Sequence, residues 1–213
     1  SSPYSFSWSN APSGNHALTA RAIDNAGATT TSGAVGITVQ PGGGTRTVTL
    51  TPTADTYVRG GVNAGTNYGT ATVLEIKEDN NPDNDRLTLL KFDLSTLTGS
   101  LVSAKLRLYG SHPTGVPVQC FGVDDNSWTE SGVTYTTMPD ARSAEIAKTT
   151  VGSSARYYEW DITAHLNRIV AEGESFASFI LSNEFEHSGG IIFNAKEHNA
   201  NRPQLVAVSE SGV

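Results

Sequence analysis

Turn-forming residues interrupt this 213-residue chain so often that little but short strands fits between them. Runs rich in Val, Ile, Thr, Tyr and Phe are bounded every ten residues or so by Gly, Asn, Asp or Pro, the pattern of strands joined by turns. The densest example runs from Asp55 to Leu94: DTYV, a Gly/Asn-rich loop over Gly60–Gly69, a strand over Val73–Lys77, an acidic turn over Glu78–Asp85, and a strand from Arg86. A sustained 3.6-residue apolar period occurs only briefly, and it predicts one helix over Thr163–Ala171, following WDIT and stopped near Gly173. The fold class is therefore all-β.

Pro41-Gly42-Gly43-Gly44 reads as a flexible linker and sets a boundary. Residues 1–40 form one segment, 41–46 the linker and 47–210 the main domain. In the first segment strands are expected over Tyr4–Trp8, Ala17–Asp24 and Ala34–Val39, with hairpin-type turns between them. In the second, candidate strands are Thr47–Thr51, Asp55–Val58, Val73–Lys77, Arg86–Asp93, Val102–Gly110, Val116–Val123, Tyr157–Ile162, Ser175–Ser182, Ile191–Ala195 and Gln204–Val208. This cadence suits a sandwich or jelly roll.

The net charge of −7 narrows the partners. Arg21 and Asp24 cancel within residues 1–44, so the whole excess falls on residues 45–213. An acidic domain lacks the basic footprint that nucleic acid requires. No apolar run reaches the roughly 18 residues of a membrane span. Cys120 is the single cysteine and alternates with Val116 and Val118, so it reads as a buried thiol. The opening SSPYSFSW carries no signal-peptide pattern, and the chain is expected to be a piece of a longer polypeptide.

Two stretches carry family resemblances. YSFSWSNAPSGNHALTARAIDNAGATTTS, within residues 1–40, resembles the second half of a bacterial immunoglobulin-like domain. A whole domain of that kind needs about seven strands. The fragment is therefore expected to leave an open core and to pack on its neighbour or a partner chain, or to be a processing remnant. Most of residues 47–208 resembles the DNRLRE family, carbohydrate-binding module family 96. The blocks are ADTYV, NYGT, LEIK, DRLTLLKFDLS, SAKLRLY, SWTESGVTYTTMP, YEWDIT, FNAKE and RPQL. Where the eponymous motif would place a second Arg, this chain reads DNDRLTLL. The resemblance implies a non-catalytic jelly-roll module that binds an acidic, uronic-acid polysaccharide such as alginate. It further implies a secreted protein in which a covalently linked lyase or hydrolase domain is targeted to that polymer. Two other functions compete with it: a structural or adhesion β-module of a bacterial surface protein, and a small polysaccharide lyase.

An anionic polymer calls for cations along a groove or sheet face, with Arg favoured for its two-point pairing with carboxylates. Alternation places Lys105, Arg107 and Tyr109 on one outward strand face. Lys77, Arg86 and Lys91 flank the acidic turn and the following strand, and Lys196 and Arg202 flank a late Asn-rich loop. These eight are the candidate ligand-binding residues. The plain alternative is that they are solvated side chains paired with Glu75, Glu159 and Glu197. Trp128 and Trp160 could stack on sugar, but both read better as core. The turn EDNNPDND lacks the spacing of a calcium loop. A structural Ca²⁺ site is instead expected at Asp55, with carbonyls of the Gly60–Gly69 loop and with Asp161. Among the histidines, His187 and His198 lie in late loops that could meet, but no hydrolase motif accompanies them.

Overall fold

The computed structural model describes residues 5–8, 11–39, 44–139, 143–183 and 189–210. The chain divides into two compact units at the junction of Gly44 and Thr45. Pro41 to Gly43 of the expected linker lie outside the described residues.

The first unit holds four short strands, β1 (Gly14–Leu18), β2 (Arg21–Ile23), β3 (Thr29–Thr31) and β4 (Val35–Val39). The β2–β3 hairpin and the β1–β4 pair form separate two-stranded sheets. Asp24 folds the hairpin turn, its Oδ1 accepting from the amides of Ala26 and Ala28 at 2.9 and 2.8 Å. No described residue of this unit is buried, so these strands do not amount to a sandwich. The strand expected over Tyr4–Trp8 is absent at its described residues 5–8, where no partner strand offers a ladder.

The second unit contains β5 (Thr45–Leu50), β6 (Ala54–Arg59), β7 (Val73–Ile76), β8 (Arg86–Asp93), β9 (Leu101–Ser111) and β10 (Val116–Val123). After these come β11 (Glu145–Val151), β12 (Arg156–Asp161), α1 (Thr163–Ala171), β13 (Phe176–Ser182), β14 (Ile191–Asn194) and β15 (Gln204–Glu210). Two antiparallel sheets result. One has the order β11-β10-β13-β8-β6, the other β5-β15-β9-β14-β7 with β12 also on β9. From β6 to β10 each strand crosses to the opposite sheet, the winding of a jelly-roll sandwich. β11 was not expected from the sequence, because EIAKTTV carries Glu and Lys. As the edge strand beside β10 it buries only Val151 fully.

The core between the sheets is assembled by alternation: Leu90 and Phe92 from β8, Leu106 and Leu108 from β9, Phe179 and Leu181 from β13. Trp160 lies at its centre, fully buried, with Nε1 donating to the Val118 carbonyl at 2.8 Å. The indole N–H thereby keeps a partner after losing water. Cys120 is buried in the same core, and α1 adds Leu166 and Ile169 to it.

A second apolar cluster lies on the outer face of the five-stranded sheet. Residues 124–139 cross that face, and Trp128 and Val133 pack on Ala54, Val58, Leu87, Leu89, Val123 and Ile180. This explains why β8 is buried on both faces although it belongs to an antiparallel sheet. No loop among the described residues covers the outer face of the six-stranded sheet in this way: Lys105, Arg107 and Tyr109 alternate there with buried Leu106 and Leu108.

Candidate functional site

Two places gather the polar side chains of the second unit. The first is the open face. Antiparallel register sets Arg107 of β9 directly between Glu159 of β12 and Gln204 of β15, and sets Tyr109 beside Tyr157. The guanidinium of Arg107 lies 4.6 Å from the centroid of the Tyr157 ring. Its Nη1 donates to Gln204 Oε1 at 3.0 Å. Tyr109 and Tyr157 meet edge to face at 5.4 Å. Glu159 spans both cations, with Oε2 at 2.6 Å from Lys105 Nζ and Oε1 at 2.9 Å from Arg107 Nε. The Lys105 ammonium, with Arg107 behind it, holds the Glu159 carboxyl below its ordinary value. Arg202 borders this face: its carbonyl accepts from the Tyr157 hydroxyl at 3.1 Å, and its Nε donates to the His198 carbonyl at 2.9 Å.

The second place is a clasp of three loops. Asp55 on β6, Glu130 in the loop over the five-stranded sheet and Glu197 after β14 bring one carboxylate oxygen each within 4.8 Å of the others. Asp55 is 1% exposed; its Oδ2 accepts from the Lys196 amide at 2.8 Å, and its own amide donates to Glu130 Oε1 at 2.8 Å. Lys196 Nζ pairs with Glu130 at 3.0 Å and with Glu197. Asp55 Oδ1 and Glu197 Oε2 are buried without a hydrogen-bond partner. Burial, with Glu197 and Glu130 adding like charge, pushes the Asp55 carboxyl up to about 7. The Gly60–Gly69 loop joins through Asn67, whose Nδ2 donates to the Glu130 and Val133 carbonyls at 2.7 Å each. Gly69 lies against the same segment, where a Cβ would meet the Glu130 carbonyl oxygen at 2.3 Å.

The eight candidate residues thus separate into three groups. Lys105, Arg107 and Tyr109 come together on the open face, with Arg202 at its margin. Lys77 and Arg86 sit at the β7–β8 edge, Lys77 on Asp79 at 2.5 Å and Arg86 on Glu75 at 2.5 Å. Lys91 and Lys196 are drawn inward. Lys91 Nζ donates to the carbonyls of Asn126, at 2.9 Å, and of Trp128, and it stands 4.6 Å over the Trp128 ring. Burial pulls its ammonium below the ordinary lysine value. Lys91 thereby fastens the covering loop to the sheet, and Trp128 Nε1 adds a bond to Ser178 Oγ at 3.0 Å.

The expected partner of Asp55 is corrected by this geometry. Asp161 is not part of the carboxylate cluster: its Oδ1 accepts from Thr163 Oγ1 at 2.6 Å and Thr163 N at 3.0 Å, bracing the start of α1. Glu130 and Glu197 stand there instead. Within the Gly60–Gly69 loop the carbonyls of Gly61, Asn63 and Tyr68 are engaged by local turns and that of Ala64 by Thr136, while the loop reaches the clasp through Asn67. The acidic turn closes on itself as a single 3-10 turn over Pro82–Asn84, with Asn81 accepting from the Asp83 amide. His187 lies outside the described residues, and His198 Nδ1 contacts the Ala200 carbonyl at 2.7 Å.

Sequence reasoning missed Tyr157, Gln204 and Glu130. Alternation in YYEWD already sets Tyr157 on the face of Glu159, so that signal was present. Glu130 carries no local signal, because only the covering loop brings it to Asp55.

The chain is 29% identical over 167 residues to a gellan lyase of Bacillus sp., an alignment covering 75% of this chain and 7% of that protein's length. Among solved structures it is similar to one described under carbohydrate-binding modules of the β-sandwich superfamily, at 11% identity and a TM-score of 0.22, covering 93% of this chain and 73% of that one. A TM-score that low superposes little, so the sandwich assignment rests on the strand topology above. The model of carbohydrate-binding module family 96 matches residues 46–209. The chain belongs to carbohydrate-binding module family 96, a family of non-catalytic modules that bind glycans.

Proposed function

We propose that the module binds an acidic, uronic-acid polysaccharide such as alginate through the open face of the six-stranded sheet, and that it holds an attached secreted lyase or hydrolase on that polymer. One observation carries the reading: Lys105 and Arg107 stand in line with Tyr109, beside Tyr157, on a face that no described loop covers. Successive outward positions are about 7 Å apart along a strand, so the cations form a row that a polyanion could follow. The tyrosine rings offer apolar faces to sugar C–H groups. Lys77, Arg86, Lys91 and Lys196 act in support of the fold, and Arg202 lies where the row could extend.

The clasp fits a structural Ca²⁺. It supplies hard carboxylate oxygens, two of them buried and unpartnered, and a bound divalent ion would neutralise their charge. Lys196 is the resident cation that such an ion would join or displace.

Affinity electrophoresis against alginate, pectate, gellan and a neutral glucan tests the reading. Retention by polyuronates alone is expected, weakened about tenfold in R107Q. It should be lost in 0.5 M salt, where charges are screened over about 4 Å. Equal retention by neutral glucan would refute the ionic reading, and no retention by any glycan would favour a structural or adhesion module.

A further inference from the structure

The open face already contains a carboxylate placed where a ligand's would go. We propose that Glu159 is an internal stand-in for the uronate carboxylate, displaced from Lys105 and Arg107 when an acidic glycan binds, so that Glu159 sets the selectivity of the face. This rests on the reading of that face as the glycan site.

Three features of the geometry support exchange. First, a single carboxylate serves both cations: Glu159 reaches Lys105 at 2.6 Å and Arg107 at 2.9 Å. Losing it would leave two positive groups unneutralised, and a ligand carboxylate restores the balance. Secondly, Arg107 does not depend on Glu159 for its position. Tyr157 supports its guanidinium plane, and Gln204 holds one end of the fork. Thirdly, the ion pair is not a two-point fork: Glu159 meets Arg107 through Oε1 and Nε at 2.9 Å, while Nη1 is committed to Gln204. The Glu159 side chain is 36% exposed and can swing to water at modest cost.

Asp161, the other carboxylate beside Lys105 in the register, is not equivalent. Both of its contacts run to Thr163, so it stays with the helix. Selectivity follows from the exchange. A neutral sugar brings no charge to replace Glu159 and leaves the pair closed. A uronate substitutes one carboxylate for another at Lys105 and Arg107, while Glu159 carries its charge out to solvent.

The test compares the chain with E159Q, R107Q, the double variant E159Q/R107Q and E174Q. The last removes the same charge from the exposed loop after α1. Retention coefficients on alginate and pectate gels are read at low salt, with thermal melts to confirm folding. E159Q is expected to bind polyuronate about three- to tenfold more tightly than the unsubstituted chain. E174Q should match the unsubstituted chain, and the double variant should lose the gain. E159Q melting slightly lower while binding no more tightly would show a merely structural ion pair and overturn the inference alone. An equal gain in E174Q would assign the effect to net charge and overturn it too. Retention of the unsubstituted chain with no loss in R107Q would remove the open face as the site, and the inference with it. Absence of retention for the unsubstituted chain and E159Q alike on every polyuronate would overturn both readings.

Discussion

Replacing Asp55 by Asn tests the clasp most sharply. The Asp55 carboxyl titrates near 3.8 in the unfolded chain and near 7 in the folded one, raised first by burial and then by Glu197 and Glu130. Between those values the folded state binds more protons than the unfolded state, so stability falls as pH rises. The contribution is complete below about pH 4 and gone once pH passes about 7. A shift of roughly three units corresponds to about 4 kcal/mol across the window, at about 1.4 kcal/mol per pH unit. Lys196 limits the loss through its ion pairs with Glu130 and Glu197, so about 4 kcal/mol is the ceiling. D55N stays neutral throughout, and its side-chain oxygen can still accept from the Lys196 amide. Burial lowers the His165 value below its ordinary 6.5 and works in the opposite sense, so the quantity to read is the difference between the two proteins. Urea unfolding every half pH unit from 4.5 to 8 should show the unsubstituted chain losing ground steadily to D55N and then levelling off. A flat or rising difference would refute the burial of an unpaired carboxyl. Millimolar Ca²⁺ should abolish the loss in the unsubstituted chain and do nothing for D55N. A chelator-insensitive melt at pH 8 would end the calcium proposal while leaving the proton linkage intact.

Other outcomes follow from single contacts. W128A should cost about 3–5 kcal/mol in urea unfolding, because the ring is the largest piece of the second core and also carries the Lys91 contact. G69A should cost about 1–3 kcal/mol, since its Cβ would lie 2.3 Å from a backbone oxygen that must shift. A stability equal to the parent would show that the loop over residues 60–69 does not rest on Glu130. Cys120 should react with a thiol reagent only on the unfolding timescale, because burial pushes its thiol well above the ordinary value. Immediate modification would place it outside the core.

What was legible in the sequence was whatever alternation controls. Arg86–Asp93 and Val116–Val123 occur as strands with the expected bounds, and Thr163–Ala171 as the helix. Their apolar period matches one buried face, or a loop-covered second one. Glu159, with Glu75 and Glu197, was among the carboxylates that the plain alternative sets against the candidate cations, and alternation puts it on an outward face, though only strand register pairs it with Arg107. The edge strand β11 was hidden, since an edge needs only a half-apolar sequence and its Glu and Lys protect it from further pairing. The clasp was hidden for a different reason. Asp55 and Glu130 are 75 residues apart, and no local period reports which loops meet at one end of a sandwich. Asp161 was a reasonable partner by composition, yet a nearer hydroxyl and amide at Thr163 engaged it.

Apart from LEIK and the Arg86 end of DRLTLLKFDLS, the family blocks sort into two spatial groups, and on the proposed reading of the open face this separates architecture from recognition. Asp55 of ADTYV, Asn67 and Gly69 of NYGT, Trp128 and Glu130 of SWTE, and Lys196 and Glu197 of FNAKE converge on the clasp and the covering loop. Lys91 of DRLTLLKFDLS joins that group by holding the Trp128 loop. By contrast, Lys105, Arg107 and Tyr109 of SAKLRLY, Glu159 of YEWDIT and Gln204 of RPQL meet on the open face. One group covers the five-stranded sheet, while no described loop covers the outer face of its partner. Substitutions in the first group should therefore move stability and leave relative glycan preference unchanged. Substitutions in the second should move preference with little change in melting. A clasp variant that switched preference between polyuronate and neutral glucan would show that recognition lies at the loop end, and not on the sheet.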